Sequence, residues 1–181
     1  MRFGIFVIMF SLLLGSVALL DSCKSDVPSS GYENITTLML VTQNLATNAL
    51  DTFQYVNFHE HETSSYPASR VDTIKLSPKN SYSIRVLLID DLHHNDMTDT
   101  ITAKADSHLM IYSIDPAGLV TVKIQDKDSK GLPLGLVSQW STPDSTNGWL
   151  RMILRHQIGN KNGTETPGTN DFEADFPIAI R

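Results

Sequence analysis

From residue 33 onward the chain is a series of short apolar runs, many alternating with polar residues at period two and separated by turn formers. Ile35–Val41 (ITTLMLV) is β-branched and apolar. Phe53–Phe58 (FQYVNF) alternates at Phe53 and Tyr55, and less cleanly at Phe58. Val71–Leu76 (VDTIKL) reads as one strand of uncertain inner face. Tyr82–Ile89 (YSIRVLLI) is the strongest strand, with Tyr82, Ile84, Val86 and Leu88 on one face. His108–Ile114, Leu119–Ile124, Leu136–Trp140, Trp149–Leu154 and Phe172–Ile180 follow. Side chains alternate across a strand, so this period predicts half-buried β-structure.

The punctuation agrees. Ser77–Asn80 separates two runs, and Asp115-Pro116-Ala117-Gly118 supplies the fixed and positive φ angles of a turn. Further loops fall at Asp126–Gly131, Thr142–Gly148 and Gly159–Gly168, and Pro177 marks an edge or a bulge within the last strand. Met97–Ser107 (MTDTITAKADS) predicts a short helix, capped by Asp96 or Thr98, with Ile101 and Ala105 on one face. About eight strands with one short helix imply an all-β fold, an immunoglobulin-like β-sandwich spanning 33–181. There is no Cys-Trp-Cys signature and no internal repeat.

The first thirty residues follow a different pattern. Phe3–Leu20 is nearly all apolar behind Arg2, the layout of a secretory signal peptide over 1–22. The run is long enough for a transmembrane helix, but no basic stop-transfer cluster follows it. Leu20-Asp21-Ser22-Cys23 resembles a bacterial lipobox, with Asp21 departing from the usual small residue. On that reading Cys23, the one cysteine, becomes the acylated first residue of the mature protein. The alternative is a chance cysteine in an ordinary secreted protein. Acyl methylenes contribute about 0.8 kcal/mol each when buried, so more than one chain anchors stably. Residues 23–32 then form the acylated cysteine and a Ser/Pro/Gly-rich tether.

Charge narrows the partners. Arg2 and Asp21 leave together with the leader, so the net charge stays −6. An acidic chain without a Lys/Arg cluster is a poor partner for phosphate backbones, and no nucleic acid is expected. Anionic lipid headgroups are disfavoured in the same way, so membrane contact falls to the lipid anchor.

Candidate chemistry rests on the six histidines. His59-Glu60-His61 puts two imidazoles on one face of a continuing strand, and His93-His94 lies within Asp90–Asp96, which is dense in oxygen and nitrogen donors. Imidazole with carboxylate suits zinc, copper or nickel, but a site needs three or four converging donors. The alternative is that these are solvated loop residues. His108 and His156 stand at strand ends, where each orients a ligand or satisfies a buried carbonyl. Asp126-Lys127-Asp128-Ser129-Lys130-Gly131 begins like a calcium loop, yet Lys130 occupies a ligand position and no glutamate closes it. A hairpin turn is favoured there. No G-x-S-x-G elbow, free mature thiol or phosphate-binding glycine loop is present. Trp140, Trp149, Tyr55 and Tyr66 line an apolar or sugar-binding surface or, more often for such residues at strand positions, the core.

Four strings carry a resemblance: Ala105–His108, Gly131–Gly135, Leu154–Gly163 and Asp171–Ile178. Together they resemble a family of small Bacteroidetes lipoproteins of uncertain function, across most of 33–181. The resemblance implies a β-rich envelope protein encoded near outer-membrane receptors, and supplies no catalytic residue. The resulting expectation is a lipid-anchored binding protein, not an enzyme, that presents a transition metal ion or small ligand to an outer-membrane receptor. The rival is a structural or adhesive envelope module with no small ligand, and a hydrolase stays open as a third class on general acid/base pairs alone.

Overall fold

The computed structural model describes residues 34–57 and 69–181. Two β-sheets face each other. The larger runs β3(Arg70–Val71), β2(Leu50–Val56), β1(Thr37–Asn44), β5(Ser81–Asp90), β9(Val137–Ser141), β8(Thr121–Ile124), with β6(Asn95–Asp96) added to β5. The smaller runs β4(Ile74–Leu76), β11(Thr169–Ile180), β10(Thr146–His156), β7(His108–Asp115). All pairings are antiparallel except β4 with β11. The protein is an all-β sandwich with one short helix, as the alternation predicts.

Period-two patterning places the core between the sheets. Tyr82, Ile84, Val86 and Leu88 share the buried face of β5. Leu38 and Leu40 of β1 and Trp140 of β9 extend it, against Leu150, Met152, Leu154, Ala174, Phe176 and Ile178 of the other sheet. Fully burying one such large side chain is worth roughly 1.5–3 kcal/mol, so this interleaved layer is the main stabilising term. Tyr55 packs edge-on against Phe172 and Phe176, each with ring centroids 5.9 Å away.

Two predicted elements are redrawn. Val71–Leu76 is not one strand: β3 ends at Val71 in the larger sheet, and β4 begins at Ile74 in the smaller. The half-exposed Val71 and the buried Ile74 and Leu76 belong to different layers. Asp72 secures the crossing, exchanging backbone and carboxylate hydrogen bonds with Gln54. The predicted helix is shorter, α1(Thr98–Ala103), followed by a 3-10 turn over Ala105–Ser107. Neither Asp96 nor Thr98 is its cap: Met97 holds that position without a side-chain cap bond, although Asp96 accepts the Thr98 N–H, and Ile101 is fully buried on the core. Pro177 lies one residue before β4 joins β11, where that side of the strand is still an edge and no donor is required. Among the described residues no helix is long and apolar enough to cross a membrane.

Candidate functional site

Three polar side chains converge at one end of the smaller sheet. His108 opens β7 and His156 closes β10, directly opposite each other in the register. Each continues the inward-facing set of its strand, after Leu150, Met152 and Leu154 on β10 and before Met110 on β7. The imidazoles stack, with centroids 4.6 Å apart and planes inclined by 17°.

The third group comes from a β-bulge. β11 pairs with β10 residue by residue back to Phe172 opposite Leu154, and then Asn170 stands opposite Arg155. Asp171 is the extra residue. It and Phe172 are consecutive and both buried, which an unbroken strand does not allow. The bulge aims the Asp171 carboxylate at the histidines: Oδ2 lies 3.4 Å from His108 Nε2, and Oδ1 lies 3.4 Å from His156 Nδ1. The side chains of His108 and Asp171 are sealed from solvent, and that of His156 is 9% exposed.

The electrostatics of this trio are unusual. Neither Asp171 oxygen accepts a hydrogen bond from any described residue. His108 Nδ1 lies 3.0 Å from the Lys104 carbonyl oxygen. A carbonyl only accepts, so Nδ1 carries the proton there, and in the neutral ring Nε2 turns a lone pair toward the carboxylate. A lone pair facing a buried anion is repulsive unless a proton or a cation lies between them. One donor atom from each residue falls within 4.8 Å of the others. Donors held about 2.1 Å from a tetrahedral ion are about 3.4 Å apart, and each imidazole nitrogen lies at that distance from its own Asp171 oxygen, His108 from Oδ2 and His156 from Oδ1.

The surrounding loops brace the trio. Lys161, from the loop after His156, is buried, with Nζ 2.9 Å from Asp128 Oδ2 and donating to the Ala105 carbonyl at 2.9 Å. It ties together the turn before His108, the Asp128 hairpin and its own loop. Burial raises the Asp128 pKa, but Lys161 and the N–H groups of Leu132 and Lys130 outweigh it, and the net shift is downward. Where the loop returns, Gly168 has φ +84°, and a Cβ there would fall 1.8 Å from the His156 carbonyl oxygen. Only glycine lets the chain pass so close to the site.

The candidates from the sequence distribute unevenly. His59 and His61 lie outside the described residues, as do Cys23 and Tyr66. His93 is largely exposed, its Nδ1 2.6 Å from Asp90 Oδ2, and Asp90 Oδ1 accepts the Leu92 and His93 N–H groups in a local turn. His94 is exposed at φ 56°. Among the described residues, only His108, His156 and Asp171 gather three histidine, cysteine or carboxylate donors, so His93 and His94 meet no such third donor. Asp126 and Asp128 do not open outward as a calcium loop. Asp126 accepts the N–H groups of Gly135, Leu136 and Val137, and Asp128 those of Lys130 and Leu132. Both carboxylates organise their own hairpin. Trp140 is fully buried, whereas Trp149 is 56% exposed.

Asp171 escaped the reading of the pattern because Phe172, Ala174, Phe176 and Ile178 mark the inner face of that strand. By period two Asp171 belongs outside, and the bulge that reverses it leaves no local sequence mark. No family model, curated protein or solved structure matches the chain.

Proposed function

We propose that the protein is a lipid-anchored binding protein of the cell envelope whose sandwich holds a transition metal ion between His108, His156 and Asp171. The observation that carries this reading is the buried Asp171 carboxylate, with no hydrogen bond from a described residue, set against two imidazoles. The Lys104 carbonyl orienting His108 is the outer-shell contact that metal-ligating histidines usually make. Two imidazoles and one carboxylate suit zinc, copper or nickel. The three donors among the described residues leave a coordination position open to water or to an exchanging ligand. The lipobox-like Cys23 supports the anchor, and delivery to an outer-membrane receptor follows from the resemblance to small envelope lipoproteins.

The test is native mass spectrometry of the full chain, purified without metal and offered zinc, copper and nickel in turn. One ion per chain is expected. Asp171→Asn keeps the shape and removes a charge, and should weaken binding more than about tenfold, the loss that even an outer-shell partner can cause. Cobalt(II) supplies a second readout, since its visible spectrum reports a nitrogen/oxygen site directly. Absence of any adduct at micromolar metal would overturn the metal reading, leaving the trio as a proton-bridged imidazolium–carboxylate contact.

A further inference from the structure

The outer face of the smaller sheet carries a second, chemically different arrangement. Trp149 on β10 stands between Asp115 on β7 and Pro177 on β11, and the next outward row is Ser113, Arg151, Asp175. Ser113, Asp115, Trp149, Arg151 and Asp175 line one shallow cavity. Sheet pairing brings same-face neighbours to about 5 Å between Cβ atoms, so these rows form a continuous surface. Gly148 sets the position of the indole. A Cβ there would fall 2.2 Å from the Asp115 carbonyl oxygen and 2.7 Å from Pro116 Cδ, so only glycine allows β10 to begin this close to the end of β7.

The polar row is held in place. Arg151 binds Asp175 through two parallel hydrogen bonds, Nε to Oδ1 at 2.7 Å and Nη2 to Oδ2 at 2.8 Å. Fork-to-fork geometry fixes the plane of the guanidinium as well as its position. The hydrogen bonds from Arg151 hold the Asp175 carboxyl below the usual range, so it remains an ionised acceptor. Two carboxylates against one guanidinium leave the patch net negative.

We infer that this face is a carbohydrate-binding site, in which the Trp149 indole stacks on a neutral pyranose ring while Ser113, Asp115 and the Arg151–Asp175 pair hydrogen-bond its hydroxyl groups. An exposed indole leaves a large apolar face in water, and the polarised C–H bonds on one side of a sugar ring complement its negative quadrupole. Closely placed hydroxyl, carboxylate and guanidinium groups match a ligand rich in hydroxyl donors and acceptors. The negative balance selects against uronate or phosphorylated sugars, and equally against the phosphates of a nucleic acid. This site is independent of the histidine–aspartate trio.

Two tryptophans, one buried and one exposed, make intrinsic fluorescence a reporter of this face. The full chain would be titrated with chitohexaose, cellohexaose and maltohexaose, with oligogalacturonate as the acidic comparison, and affinities measured by calorimetry. At least one neutral oligosaccharide should give saturable fluorescence change, with the acidic one at least about tenfold weaker. Trp149→Ala should lower affinity at least about tenfold and Trp149→Phe much less, because the stacking face persists. The indole is outside the core, so circular dichroism of both variants should match the parent. No binding of any of the four at millimolar concentration would overturn the inference. So would a concentration-dependent dimer in sedimentation that Trp149→Ala abolishes, which would assign the face to a second copy of the chain.

Discussion

At the scale of single residues, Lys161 and Asp128 matter beyond their surface counterparts. Both side chains are almost fully removed from water and joined at 2.9 Å. Removing one partner of a buried pair strands the other charge and typically costs about 3–5 kcal/mol. Lys161→Met should therefore lower stability by that order in urea denaturation, whereas Arg151→Ala, which breaks a half-exposed, solvent-screened pair, should shift the denaturation midpoint far less. The pH dependence has a definite sign. The Asp128 pKa is lowered from 3.8 in the folded protein, so its contribution is fully present above the unfolded value. It is lost as pH falls below 3.8 through the folded pKa. The stability difference between parent and Asp128→Asn should be flat through neutral pH and shrink only in that acid range. Gly168→Ala forces a Cβ onto the His156 carbonyl, and reduced metal uptake together with a lower melting temperature is the expected result.

At the scale of elements, the bulge in β11 and the crossing through α1 assemble the site. β10 and β7 deliver their histidines by register alone, since His108 and His156 are direct cross-strand partners. β11 needs the extra residue to turn Asp171 inward. α1 is only six residues long, too short to be stable by itself, and stays on the sandwich because Ile101 is fully buried. Ile101→Ala should cost about 2–5 kcal/mol in denaturation. Because Lys104 immediately follows α1 and its carbonyl orients His108, the same variant should also weaken cobalt binding, an effect that a distant core truncation would not produce.

At the scale of the whole molecule, the lipid anchor proposed at Cys23 has a direct test. In a host that processes bacterial lipoproteins, Cys23→Ser should move the protein from the membrane to the soluble fraction, as followed by detergent partition. The alternation of Tyr82, Ile84, Val86 and Leu88 determined their shared buried face, and with the turn residues it determined an all-β class, because side-chain direction in a strand depends on position within a few residues. The Asp126 and Asp128 hairpin was legible for the same reason, since its carboxylates bind backbone groups close by in the chain. The division of Val71–Leu76 between two sheets was decided by layer packing, which no local pattern records. Tertiary structure alone also brought His108, His156 and Asp171 together. Strand register sets which distant residues face each other, and one bulge reverses the outward direction that period two assigns to Asp171.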